Sequence, residues 1–370
     1  ENAMAGFKGA PVGKYGKWVD LGPHARMEEP ACCRVLCIPQ AGMGAWCFHD
    51  WQPKLRKLEV LPIELPGRNS RMGEPKSASM QECVRGLVEA LAESVLSDST
   101  MPYVVLGHSL GALTAYEVAR EIQRRSLRKP LALVVSGARA AHLGGLEHEV
   151  DRVAPALAEL PSRDFWRHFE RRYGHNPDLQ SDMVKRYVEP LLRSDFRLLE
   201  TYLANDATLV GVPILACAAR GDDRFTAAQL SAWAKHTAAG FDEQWFDATP
   251  LPWSTPHRYL VECPDQFLAF LQRYCLSKVA SSPATKTAAT TSTSTMVAPG
   301  AFVVSSKNGA LVRTGAGLDS QEVAVLEGST RVTVVEVLPA PADAPRGKPR
   351  ARITEPVAGW LSCHLLSPVT

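Results

Sequence analysis

The stretch Val104-Val105-Leu106-Gly107-His108-Ser109-Leu110-Gly111-Ala112 constrains this chain more than any other. A short apolar run leads into G-x-S-x-G, and a helical pattern opens at Ala112 and continues through Leu113, Tyr116, Ala119 and Ile122. A sharp strand-to-helix turn needs that order to lift a serine hydroxyl above the edge of a parallel sheet. Glycine at 107 and 111 leaves room where the backbone folds back closely on itself. G-x-S-x-G alone arises by chance in Gly/Ser-rich loops. Here a strand precedes it and an amphipathic helix follows, so Ser109 is a candidate nucleophile rather than a turn residue.

The rest of residues 17–275 carries the alternation that such a turn implies. Arg34–Ile38, Leu58–Leu65, Tyr103–Leu106, Leu131–Ser136, Pro213–Ala218 and Glu243–Phe246 read as strands. Met80–Leu96, Leu113–Arg125, Ala227–His236 and Asp265–Tyr274 carry helical spacing. This pattern predicts an α/β fold, a mainly parallel sheet with helices on both faces. From about 147 to 202 the rhythm breaks into amphipathic helical patterns with no strand, built on Leu157, Leu160, Phe165 and Phe169 and then on Met183, Tyr187, Leu191 and Phe196. An insertion of this kind reads as a lid over the active edge; the plainer alternative is a pair of helices packed on the sheet. Residues 277–297 are rich in Ala, Ser and Thr and hold almost no large apolar side chain, so they read as a flexible linker. Residues 298–370 switch to short β-branched runs (Phe302–Val304, Val323–Leu326, Arg331–Val337, Ala351–Thr354) between Gly, Pro and Asp, the pattern of a small all-β module.

Composition narrows the function classes. A chain of 370 residues with 45% hydrophobic and 22% charged residues is an ordinary globular protein with room for one large domain and one small one. A net charge of +2 gives no electrostatic case for nucleic acid as a partner. No apolar run approaches the ~18 residues of a membrane span, and no secretory signal is visible, so no membrane association is expected. Glu1-Asn-Ala-Met is set aside as a leftover of expression or the cut edge of a longer protein. The nine cysteines form no C-x-x-C pair, and Cys37 and Cys217 fall inside apolar strands. Free buried cysteine behaves as a small hydrophobe, which fits a reducing, cytoplasmic setting better than a disulfide framework.

A serine hydroxyl attacks only when a base takes its proton and a third group orients that base. In α/β-hydrolases the chain order is Ser, then an acid, then His. The strand at Pro213–Ala218 runs into Gly221-Asp222-Asp223, which puts an acid at the carboxyl end of a parallel strand, on the edge that carries Ser109. Among the ten histidines, His257 alone falls in a loop after the strand that follows this acid; His108 sits in the turn itself, and His142, His148 and His175 lie near the helical insertion. A developing oxyanion needs two backbone amides. One is that of Leu110, the residue after the nucleophile, and the loop Ile38-Pro39-Gln40-Ala41-Gly42-Met43-Gly44 offers Ala41 as the other.

These residues together resemble a known family. Pro39-Gln-Ala-Gly42, Leu65-Pro-Gly-Arg68, Gly107-His-Ser-Leu-Gly111, Ser194-Asp-Phe-Arg-Leu-Leu-Glu-Thr-Tyr202, Gly221-Asp-Asp and His257-Arg-Tyr-Leu260 are similar to the type II thioesterases. These are discrete editing hydrolases of polyketide and nonribosomal peptide synthesis, related to the medium-chain acyl-carrier-protein hydrolases of fatty acid synthesis. The likeness runs in register over residues 17–275. It implies an α/β-hydrolase fold over 17–276 with a helical lid, and a triad of Ser109, Asp222 and His257. Asp222 is preferred to Asp223 because its spacing from Pro213 and to Trp233 matches the family without gaps. The implied reaction is hydrolysis of an acyl thioester from the phosphopantetheine arm of an acyl or peptidyl carrier protein, with no cofactor or metal held by the enzyme. Two departures stand out. Gln40 occupies a position usually held by His or Tyr, and a proline-rich loop, Ala248–Pro256, replaces a short Gly-Gly step ahead of His257. The tail, with Ala310-Leu-Val-Arg-Thr-Gly315 and Gly359-Trp-Leu361, resembles a bacterial SH3-like barrel and specifies no ligand. Two other readings remain compatible with the residues: a carboxylesterase on the same scaffold, and a catalytically silent scaffold whose barrel recruits partners.

Overall fold

The structure, a computed structural model, describes residues 14–204, 208–281, 300–306, 309–314, 320–338, 350–362 and 366–368. The chain divides into two compact units at Ala280/Ser281. The first unit is built on six strands: β1 (Cys33–Ile38), β2 (Leu58–Pro62), β3 (Tyr103–His108), β4 (Leu133–Ser136), β5 (Ile214–Ala219) and β6 (Phe241–Phe246). Its helices are α1 (Met80–Leu91), α2 (Leu110–Arg124), α3 (Ser162–Tyr173), α4 (Asp182–Glu200), α5 (Ala227–Ser231), α6 (Tyr259–Glu262) and α7 (Asp265–Ser281). The strands lie in the order β2-β1-β3-β4-β5-β6 and every pairing is parallel, consistent with an α/β-hydrolase.

Parallel sheets bury both faces, so their strands read as continuous apolar runs whose alternate residues go to opposite sides. Leu36, Val105, Val135 and Ala216 enter one core with α1 and α2, while Val35, Val104, Val134 and Leu215 enter the other with α7. All six sequence-predicted strands coincide with observed ones; edge strand β6 alone is largely open on its flank. The strand order reverses between β1 and β3, and loops at such a switch point form a crevice beyond the carboxyl ends. The loop after β1 holds Ala41 and the turn after β3 holds Ser109, so both expected features arrive at that crevice.

Helix boundaries moved. Helix α2 begins at Leu110, three residues before its apolar stripe, because Ser109 itself makes the turn. The expected Met80–Leu96 helix stops at Leu91 and continues as one wider turn over Ala92–Leu96. Helix α7 runs past the expected Tyr274 to Ser281, with Cys275 buried and Val279 packed against the core, so residues 277–281 of the expected linker are helical. The remainder, 282–297, lies outside the described residues.

Between β4 and β5 the described residues form no sheet strand. They make a helical turn at Leu157–Glu159, then α3, a turn at Pro177–Leu179, and α4. Leu157, Phe165, Trp166, Phe169, Leu192 and Phe196 form a small core of their own there. Among the described residues no helix is long and apolar enough to cross a membrane.

From residue 300 on, the described residues of the second unit carry β-strands and no helix. Strands β7 (Gly300–Val304), β8 (Ala310–Arg313), β9 (Glu322–Leu326), β10 (Arg331–Leu338), β11 (Arg350–Glu355), β12 (Gly359–Ser362) and β13 (Leu366–Pro368) make an antiparallel sheet in the order β13-β7-β10-β11-β12-β8-β9. Phe302, Val304, Val312, Val334, Ile353 and Leu361 form its core. The short strands β8, β12 and β13 were not among the runs assigned as strands from pattern.

Candidate active site

Ser109 sits at φ +55 between β3 and α2. A non-glycine residue held there stores roughly 1–3 kcal/mol, and the surrounding structure must hold it in place. The Ser109 amide donates to the Ser136 carbonyl at 2.8 Å, and the Ala112 amide donates to the Ser109 carbonyl at 2.9 Å. A Cβ on Gly107 would collide with the Gly111 carbonyl, and one on Gly111 with the carbonyl of Ile38 in β1. Both glycines are therefore fixed by contact between backbones, as the spacing predicted.

Asp222 follows β5, and His257 lies in the short helical turn Pro256–Arg258 that leads into α6. His257 Nδ1 and Asp222 Oδ2 are 2.8 Å apart, with both side chains almost wholly buried. A carboxylate can only accept, so Nδ1 carries a proton, and in the neutral imidazole the lone pair is therefore on Nε2. Burial pushes the Asp222 carboxyl up, but the His257 imidazole and the Arg224 amide (3.1 Å to Oδ1) outweigh it and hold it below its ordinary value. Asp223 points elsewhere, to Arg224 Nε at 3.0 Å, with its side chain 73% exposed. His257 Nε2 is buried and has no hydrogen-bond partner among the described residues. The long proline-rich loop ahead of it is tied to the end of α3: the His175 amide donates to the Trp253 carbonyl at 2.7 Å, and Gly174 pairs with Ser254.

One set of supporting residues had no role in the sequence reading. His108 Nε2 lies 2.8 Å from the His257 carbonyl and Nδ1 lies 2.9 Å from Ser136 Oγ, which is 2.7 Å from the Tyr259 hydroxyl. Burial pushes the His108 imidazole down to about 3, so it is neutral at ordinary pH. The carbonyl can only accept; Nε2 therefore donates, Nδ1 accepts from Ser136, and Ser136 accepts from Tyr259. This chain fixes the backbone of His257 from beneath. A serine and a histidine at the ends of otherwise apolar strands were the available signal.

The loop after β1 turns at Gln40–Met43, where the Met43 amide donates to the Gln40 carbonyl at 3.1 Å and Gly42 takes φ +75, a type II turn. Among the described residues the amides of Ala41 and Leu110 have no acceptor. The Gly42 amide does: it donates to Asp195 Oδ2 of α4 at 2.8 Å. Asp195 also takes a two-pronged ion pair from Arg68, at 2.9 and 2.8 Å, and Arg68 Nη1 donates to the Met43 carbonyl at 2.7 Å.

Two cavities share Ser109, Tyr173 and His257 as lining. One, of about 300 Å³, is bounded by Ala41, Met43, Trp46, Phe169, Tyr187 and Leu192, mostly apolar side chains of α3, α4 and the β1 loop. The other, about 60 Å³, is lined besides by Leu113, Phe196, Phe225, Arg172 and Arg224. His257, Ser109 and Ala41 line one cavity, and the free Leu110 amide adjoins Ser109 in the chain; these are the kinds of group that a nucleophilic acyl-transfer site uses. The thioesterase-domain family matches residues 33–274, the whole span from β1 into α7.

The chain belongs to the thioesterase family. This thioesterase is 33% identical over 228 residues to the thioesterase PikA5 of Streptomyces venezuelae, covering 60% of this chain and 77% of that protein. It is 30% identical over 233 residues to the gramicidin S biosynthesis protein GrsT of Aneurinibacillus migulanus, covering 62% and 85%. Among solved structures it is similar to RedJ, a thioesterase from the prodiginine pathway of Streptomyces coelicolor, with a TM-score of 0.59 and 29% identity over 74% of this chain and 99% of that one.

Proposed function

We propose that this thioesterase is a type II editing or chain-release enzyme that hydrolyses acyl thioesters from the phosphopantetheine arm of an acyl or peptidyl carrier protein. Ser109 Oγ attacks the thioester carbonyl while His257 Nε2 takes its proton, and Asp222 holds the imidazole in the required tautomer. The Ala41 and Leu110 amides stabilise the tetrahedral oxyanion. Collapse expels the pantetheine thiol, which receives the proton from His257, and leaves an acyl-Ser109 ester. His257 then activates a water that cleaves the ester and frees the acid. The chemistry needs no metal or cofactor of the enzyme's own, since the substrate brings the phosphopantetheine.

One observation carries this reading most: His257 Nδ1 is committed to Asp222 while its buried Nε2 is free, on a cavity shared with Ser109. The apolar wall given by α3 and α4 suits a lid over an acyl or pantetheinyl chain. The kinship with PikA5 and GrsT supports a synthase carrier protein as partner rather than nucleic acid or membrane. The second unit is read as an SH3-like module, and the eight unpaired cysteines among the described residues suit a cytoplasmic setting. The test is hydrolysis of a panel of acyl-carrier thioesters beside a simple carboxylic ester. Ser109→Ala should lose on the order of a thousandfold or more while staying folded. A folded Ser109→Ala protein with full turnover, or a preference for the ester, would overturn the reading.

A further inference from the structure

The Arg68–Asp195 pair has more bonds than a helix anchor needs. Both side chains are almost fully buried, at 4% and 2% exposure. Asp195 accepts three hydrogen bonds, two from Arg68 and one from the Gly42 amide. Arg68 in turn holds the Met43 carbonyl, while its Nε has no partner among the described residues. The pair therefore grips the Gln40–Met43 turn at two peptides: the Gly42 amide of the 41–42 peptide through the acid and the Met43 carbonyl of the 43–44 peptide through the base. Leu192, three residues before Asp195 on the same face of α4, lies against Gly42 so closely that a Cβ there would strike it.

We propose that Asp195 and Arg68 are positioning residues that couple α4 of the helical insertion to the oxyanion turn, so that the Ala41 amide is correctly aimed only while α4 is docked. This rests on the serine-hydrolase reading above. The peptide that carries the Gly42 amide is rigid and joins directly to Ala41. Fixing that plane fixes the Ala41 Cα, and with the Met43-to-Gln40 turn bond closing the other side it limits the swing of the Ala41 amide; an amide misplaced by an ångström loses much of its value to a developing charge. A buried ion pair contributes little net stability relative to apolar side chains of the same size. Its bonds are better accounted for by what they orient. Opening of the insertion would release the turn, and the site would be switched on only with its cover in place.

The experiment uses the full chain and an acyl N-acetylcysteamine thioester, with a fluorophosphonate as a second probe of Ser109. Asp195→Asn keeps the shape but loses the charge and one acceptor oxygen: with its oxygen on the Gly42 amide, its amino group meets Arg68 Nη2 donor to donor, so the two-pronged hold that keeps Arg68 on the Met43 carbonyl is broken. We expect kcat to fall on the order of a hundredfold with KM within about threefold. Phosphonylation of Ser109 should slow in parallel, because the phosphonyl oxygen uses the same amides. The pH midpoint of kcat/KM should stay where it is, because His257 and Asp222 are untouched. The double variant Arg68→Met/Asp195→Leu restores a neutral, packed contact; it should recover thermal stability and keep the low kcat. Wild-type kcat in either folded variant overturns the coupling alone. A wild-type protein that neither hydrolyses thioesters nor labels at Ser109 overturns both the coupling and the reading beneath it.

Discussion

Replacing Asp222 by Asn tests the acid assignment at the level of a single proton. The carboxylate makes two bonds, to His257 Nδ1 at 2.8 Å and to the Arg224 amide at 3.1 Å, and its side chain is fully buried. In the variant the one carbonyl oxygen stays with the Arg224 amide, which can only donate, so the Asn amino group faces Nδ1. Two donors cannot share that contact, and the imidazole answers by moving its proton to Nε2. Nε2 then has no lone pair for the Ser109 proton. A wrong tautomer of this kind costs about 10⁴-fold in the serine-protease triad, or about 5.5 kcal/mol of barrier at 1.36 kcal/mol per decade. Asp223→Asn removes only the charge of a contact between Arg224 Nε and a largely exposed side chain, whose amide oxygen can still accept. An exposed pair is worth ~0–1 kcal/mol, so that variant should stay within about fivefold of wild type. Single-turnover hydrolysis of an acyl thioester, with the melting temperature of each variant alongside, gives the comparison. The reverse order, or equal losses in two folded proteins, would refute the argument and reassign the acid.

Three other outcomes follow from the same geometry. The buried His108 imidazole, pushed down to about 3 from an ordinary 6.5, refuses a proton that the unfolded chain accepts; stability attributable to it is fully present above about pH 6.5 and falls by ~1.4 kcal/mol per unit as pH drops toward 3. Urea unfolding at pH 7 and pH 5 should show a larger acid penalty for wild type than for His108→Gln, and equal penalties would reject the buried neutral histidine. Hydrogen exchange over 147–202 should be faster than in β3, with Asp182–Val188 the least protected part of α4 because its Met183 and Tyr187 are exposed while the half bearing Asp195 and Phe196 is buried; protection equal to β3 throughout would mean fixed packing. A chain ending at Ser281, which keeps all of α7, should hydrolyse a small acyl thioester at the full-length rate, and a folded but inactive product would refute the two-module reading.

Much of the scaffold was legible because the relevant physics is local or periodic. Apolar runs alternating with helical spacing specify a parallel sheet covered on both faces, and G-x-S-x-G between a strand and a helix specifies the turn that carries Ser109. The order of Ser109, Asp222 and His257 could be read because α/β topology delivers strand ends to one edge in chain order. The choice of Asp222 over Asp223 rests on spacing matched to a family, not on any local physics; what the two side chains do is set by their directions in the folded turn, one buried on His257 and the other in solvent. The sequence also displayed Arg68 and Asp195, but 127 residues separate them, and no periodicity carries information over that distance. Their meeting at the Gln40–Met43 turn, and the Tyr259–Ser136–His108 chain under His257, exist only because α4 and α6 pack across the carboxyl edge of the sheet. Hydrogen bonds of that kind depend on ångström-scale approach of groups remote in sequence, so tertiary packing alone decided them.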